Sequence, residues 1–95
     1  MIVLGDPARF EWDHGNKNKN YKKHGVTDPE CEEAFFDPHK RILKDVFHSH
    51  DEQRYILLGE TKKERRLFIV FTMRAGRARV ISARDLNKKE RKLYE

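Results

Sequence analysis

The sequence predicts a small α+β domain: a mostly antiparallel sheet of about five strands, two helices towards the N-terminus and a short helix at the C-terminus. Three observations carry that prediction. Residues 65–84, Arg-Arg-Leu-Phe-Ile-Val-Phe-Thr-Met-Arg-Ala-Gly-Arg-Ala-Arg-Val-Ile-Ser-Ala-Arg, hold two β-branched and aromatic runs at 67–73 and 78–83. A polar break whose Gly76 can take a positive φ separates them, the pattern of a β-hairpin. Thr27-Asp-Pro-Glu30 and Asn87-Lys-Lys-Glu90 both have the spacing of a capping box, so each opens a helix. Gly25 followed by Val26 has the form of a left-handed helix C-cap closed by an apolar contact.

Taken in order, Phe10-Glu-Trp-Asp13 alternates apolar and acidic residues and reads as a short strand. Phe10 and Trp12 share one side of it, and Asp13 is placed to cap a helix over residues 14–24. That helix has a thin apolar face, mostly Tyr21 and lysine stems, and ends at His24. The next helix starts at Thr27, sets Cys31, Ala34 and Phe35 on one face, and is stopped by Asp37-Pro38. Residues 41–47 and 54–58 read as strands around a polar loop, His48-Ser-His-Asp-Glu52, with a turn over residues 59–64. In the hairpin, residues 67–71 are apolar at every position, as expected of a central strand covered on both faces, while the partner strand carries charge. The closing basic helix, with Arg91, Leu93 and Tyr94, is barely two turns long and needs a surface to dock on.

Ninety-five residues, 39% charged and 37% hydrophobic, bound the molecule to a single domain over residues 1–95 with a small core. One cysteine, Cys31, excludes an internal disulfide. No leader pattern precedes Phe10 and no apolar run nears membrane-spanning length, so a soluble cytoplasmic protein without membrane association is expected. Residues 65–95 hold ten lysines and arginines against three acids, a net +7, whereas residues 1–64 hold eleven against thirteen, a net −2. Positive charge gathered in the hairpin and tail attracts polyanions, with nucleic acid the leading partner and an acidic protein segment next.

Several strings together carry a resemblance: Phe-Glu-Trp-Asp at 10–13, Asn20 with Lys23-His24-Gly25-Val26, the Glu32-Glu33 to Phe36 helix, His48 with Glu52 and Arg54, and Arg79-Val-Ile-Ser-Ala-Arg84 with Glu90, Arg91 and Tyr94. In order and spacing the chain resembles the BrnT toxins from residue 10 to its end. The resemblance implies a RelE-like α+β ribonuclease toxin of a type II toxin–antitoxin pair. It also implies inhibition by a DNA-binding BrnA-like antitoxin that represses the operon, in a heterotetramer that meets DNA only through that partner. One departure is Gly15-Asn-Lys-Asn-Lys19, more polar than the alanine-rich version common in the family, which is expected to loosen the first helix.

RNA cleavage without a metal needs a base for the 2′-hydroxyl proton, positive donors for the phosphorane and an acid for the departing oxygen. Arg54, Arg79 and Arg84 are the candidates for charge stabilisation, because a guanidinium is always protonated and grips two phosphate oxygens at once. Strict alternation sets Arg79 with Ile81 and Ala83, but Arg84 with Val80 and Ser82; the two share a face only if the strand twists, bulges or ends near Ala83. His24 and His48 are the natural proton carriers, with Glu90 and Tyr94 as further catalytic candidates, although His24 equally suits a helix end and Glu90 a capping box. Lys23, Arg77, Lys88, Lys89 and Arg91 complete the expected RNA-binding surface. His48-Ser-His50-Asp51 has metal-binding residue types, but no second ligand cluster joins it, so no metal and no cofactor are expected. Phe10 and Trp12 can stack on bases, though a first strand more often sends such rings into the core. The competing function is a non-catalytic basic binding module, an inactivated toxin retained as a co-repressor.

Overall fold

The computed structural model describes residues 5–7, 9–47 and 51–95. In chain order they form β1 (Arg9–Phe10), α1 (Lys19–His24), α2 (Asp28–Phe35), β2 (Arg41–Lys44), β3 (Arg54–Glu60), β4 (Arg66–Arg74), β5 (Arg77–Asp85) and α3 (Lys88–Tyr94). The strands make one sheet in the order β1-β5-β4-β3-β2, antiparallel except for the parallel β1–β5 pair. This is the expected α+β architecture, with five strands and three helices. The β4–β5 hairpin turns through Ala75 and Gly76, both at positive φ (49° and 78°). Two left-handed residues in a row give the turn a twist that matches the flanking strands.

One face of the sheet is packed under α2 and the loop leading into it. Leu57, Leu67, Ile69, Phe71, Ala78, Val80 and Ala83 are buried there with Val26, Cys31, Ala34 and Phe35. Phe35 meets Phe71 edge-on at 4.8 Å and Phe10 at 5.1 Å, so the aromatic rings knit strand to helix. Phe10 and Trp12 both pack against this core, and Trp12 donates its indole hydrogen to Glu32 Oε2 at 2.7 Å. The other face carries only a small cluster, Leu58, Leu86 and Tyr94 with Ile56 and Phe68 beside them. Strand β4 is therefore buried at Leu67, Ile69 and Phe71 and half-buried at Phe68 and Val70. Its continuous apolar run is covered on both faces, as expected of a central strand, by one full core and one shallow one.

Four boundaries differ from the sequence reading. Residues 14–18 form turns, and α1 starts only at Lys19 after a left-handed Asn18 (φ 59°). Asp13 caps no helix: its carboxylate accepts from Gly15 N–H at 2.8 Å and from a distant arginine. Strand β1 pairs over two residues only, and β2 ends at Lys44 rather than at residue 47. Strand β3 runs on through Gly59, which sits within the strand and is no part of a turn.

The polar residues just before and within α1 seal the outer margin of β5. Asn16 donates from Nδ2 to Val80 O at 3.0 Å and to Glu11 O at 2.8 Å, and Asn20 Oδ1 accepts from Ala83 N–H at 2.9 Å. Both amides are buried. They satisfy strand groups that β1, two residues long, leaves unpaired. Among the described residues no helix is long and apolar enough to cross a membrane.

Gly59 allows α2 to lie directly on β3, since a Cβ there would fall 2.6 Å from Ala34 O and 2.8 Å from Leu57 Cδ2. The first of these atoms is backbone and cannot swing aside. Gly59→Ala should lower the unfolding free energy by about 2–3 kcal/mol, read as a lower urea midpoint with the slope unchanged.

Candidate active site

Residues that pair across strands share a face of the sheet, so the register defines what stands on the side opposite α2. Arg54, Thr72 and Arg79 make one row across β3, β4 and β5. The next row is Leu43, Ile56, Val70 and Ser82, and the next Arg41, Leu58, Phe68 and Arg84. Strand β5 reaches this pattern through a bulge. Val70 pairs with Ser82 but Phe71 with Val80, so Ile81 is an extra residue and the alternation slips by one. The slip brings Arg79 and Arg84 to the same face as Arg54. Their rows lie about 13 Å apart along β4, and Arg54 and Arg79 stand about 10 Å apart across it. Between the rows, Ile56, Val70 and Ser82 are half-buried and leave a shallow, largely apolar floor.

Arg79 and Arg84 of β5 are each held by carboxylates. Arg79 donates from Nη1 and Nη2 to Asp13 at 2.7 and 2.9 Å, and from Nη1 to Glu11 at 3.0 Å. Glu11 also takes Arg74 at 3.2 Å, which is itself clamped by Glu52 through two bonds of 2.7 Å. Arg84 donates from Nη1 and Nη2 to Glu90 at 2.7 and 2.8 Å and lies over the Phe68 ring at 4.1 Å. These pairs push the acids in one direction: the Arg79 guanidinium holds Asp13 below the usual carboxylate range, and Arg84 does the same to Glu90. Asp13 and Glu90 are thus held as carboxylates against Arg79 and Arg84, and the basic face is partly neutralised from within.

Guanidinium groups gathered on one sheet face, which the α3 end covers only over Leu58, Ile56 and Phe68, are suited to phosphate. Over residues 12–90 the chain matches the model of BrnT, the ribonuclease toxin of type II toxin–antitoxin systems. The chain belongs to the BrnT family. It is therefore the toxin of a type II pair, a ribonuclease with an antitoxin partner. No curated protein matches it.

In this BrnT chain the other sequence-predicted residues scatter. His24 closes α1 at the Asp85 end of β5; its carbonyl, with that of Gly25, accepts from Arg65, which also binds Asp85 and Glu30. That places it at the opposite end of β5 from Arg79. His48 lies outside the described residues, as does His50, and with them the two histidines of the loop whose residue types could bind a metal. Lys23 is exposed on α1, Arg77 is exposed at the hairpin turn beside Arg74, and Lys88, Lys89 and Arg91 are exposed on α3. Glu90 completes a capping box with Asn87 besides binding Arg84. Cys31 is buried, which pushes its thiol up to about 12 and leaves it no nucleophilic role.

Tyr94 has a structural duty that the sequence left open. It is buried, its ring lies 5.1 Å from Arg66 Cζ, and its hydroxyl donates to Asp37 Oδ2. Burial and the Asp37 carboxylate raise its pKa above the ordinary tyrosine value. Burial pushes Asp37 the other way from its final direction; hydrogen bonds from Tyr94 and from the His39 and Glu60 N–H groups bring it below the usual range. The acids missed by sequence reasoning are Glu11, Asp13 and Glu52. For Glu11 and Asp13 the signal was present in the alternation of Phe10-Glu-Trp-Asp13, but only a parallel pairing with β5 aims them at Arg79; Glu52, just before β3, meets Arg74 instead.

Tyr94→Phe should lower stability by about 1–2 kcal/mol at neutral pH, because Asp37 loses a donor to its charged form. The folded pKa of Tyr94 is raised, so its contribution is complete below about pH 10 and fades as pH rises above that value. Urea titrations of both proteins should therefore converge above pH 10.

Proposed function

We propose that this chain is a metal-independent endoribonuclease that works on the sheet face opposite α2 and arrests growth in the cytoplasm until a BrnA-type antitoxin covers it. The observation that supports this reading is the bulge at Ile81, which sets Arg54, Arg79 and Arg84 on one face. Arg54 and Arg79 straddle the scissile phosphate and take up the charge of the phosphorane, while Arg84 binds a neighbouring phosphate. Proton transfer belongs to an imidazole. Because His24 stands beyond the Asp85 end of β5, His48 is the first to test as the base that takes the 2′-hydroxyl proton. The 2′-oxygen then bonds to phosphorus while the bond to the 5′-oxygen breaks, and that oxygen takes a proton from water. Glu90 and Tyr94 are engaged with Arg84 and Asp37 and move no proton in this scheme. Lys23, Arg77, Lys88, Lys89 and Arg91 add exposed charge that draws RNA in along its backbone. The same basic face suits an acidic segment of a DNA-binding antitoxin, and two toxin–antitoxin pairs joined through the antitoxin make the heterotetramer.

Purified protein should cleave single-stranded RNA in EDTA to 2′,3′-cyclic phosphate ends, and Arg79→Ala should slow cleavage about 100-fold. RNA that stays intact, or an Arg79→Ala protein that cuts as fast as the parent, rejects the proposal. Binding that falls steeply with salt but never leads to cleavage identifies the co-repressor function instead.

A further inference from the structure

Four arginines among the described residues divide into two classes by which edge of the guanidinium meets a carboxylate. A guanidinium offers an end edge, Nη1 with Nη2, and a side edge, Nε with Nη2, and either can grip two oxygens. Arg65 binds Asp85 through Nε and Nη2 at 2.7 and 3.0 Å, and Arg74 binds Glu52 through Nε and Nη2, both at 2.7 Å. Both use the side edge. Arg79 and Arg84 bind Asp13 and Glu90 end-on, and the second Nη1 hydrogen goes to Glu11 Oε1 at 3.0 Å and to Asp85 O at 3.1 Å respectively. Among the described residues, the side edges of Arg79 and Arg84 meet no acceptor.

Arg74, Arg79 and Arg84 all stand on the sheet face opposite α2; of these, Arg79 and Arg84 keep the side edge free of a carboxylate, and each of their clamps is itself held. Asp13 is fixed by Gly15 N–H at 2.8 Å and Glu90 by its capping box. Gly15 leaves no space to spare, since a Cβ there would come within 2.7 Å of Arg79 Nη2. Arg84 is held flat against Phe68. Resting on the reading of this face as the RNA site, we infer that Asp13, aided by Glu11, and Glu90 are positioning residues. They lock two guanidinium planes so that the side edges grip two phosphates of one RNA strand, with its bases over the Ile56 and Val70 floor. The ordering of the two arginine side chains is then complete before RNA arrives, which lowers the entropic cost of binding. A carboxylate placed to block RNA would take the side edge, as Glu52 does on Arg74.

Charge alone predicts the opposite result, which makes the inference testable. The probe is a fluorescent single-stranded RNA carrying 2′-O-methyl groups throughout, which binds but cannot be cut, read by anisotropy at two salt concentrations. Asp13→Asn keeps the acceptor for Gly15 N–H, and Glu90→Gln keeps the capping box; each removes one negative charge. Simple electrostatics, or a blocking role, makes both variants bind more tightly. Positioning makes each bind about two- to tenfold more weakly, while Glu52→Gln, with the same charge change, does not weaken binding. Gly15→Ala alters no charge and, by crowding Arg79, weakens binding as well. Equal or tighter binding by Asp13→Asn and Glu90→Gln, with Arg79→Ala weakened, overturns the inference alone. Undiminished binding by Arg79→Ala and Arg84→Ala removes the RNA site itself.

Discussion

The structure depends on β5 burying both Val80 and Ala83. They are three residues apart, and a regular strand cannot send both to one side. Without the extra residue at Ile81, a strand that buried Val80 would also turn Ser82 and Arg84 into the core, and an unpaired guanidinium there costs several kcal/mol. The bulge resolves this conflict between packing and charge. By the same displacement it delivers Arg84 to the face that already holds Arg79 and Arg54. Core formation and assembly of the basic face are one event.

The charge asymmetry along the chain has a structural counterpart. The acidic first two-thirds supply Glu11, Asp13, Glu30 and Glu52, and the basic last third supplies Arg79, Arg74 and Arg65 to receive them. Such exposed pairs contribute little stability individually. Their effect is geometric: they determine which donors of each arginine point outward and which are engaged. A +7 segment therefore presents a patterned surface instead of a diffuse cloud of charge.

Much of the fold was legible because its signals are local. The hairpin turn at Gly76, the capping boxes at Thr27 and Asn87 and the Gly25 cap all depend on residues within a few positions of one another. What sequence reading missed involves partners far apart. Asp13 read as a helix cap because the nearest use for its carboxylate was the following turn; its partner Arg79 is 66 residues away. Asn16 read as part of a polar stretch that loosens the first helix and Asn20 only as part of a familiar string, and the exposed margin of β5 is what gives both their purpose. The bulge was open to either outcome, since Ile81 and Ser82 are each acceptable on a half-buried face. Tyr94 needed Asp37, which in sequence terms looked only like a stop before Pro38.

The parallel pairing of β1 with β5 has a temporal consequence. β1 and the segment carrying Asn16 and Asn20 find their docking site only in residues 77–85, which are made after every element from α1 to β4. During translation α2 and the β2–β4 meander can collapse early, while the segment carrying Glu11, Asp13 and α1 waits for a partner. Arg79 and its clamp thus come together late, in the same step that adds β1 to the sheet.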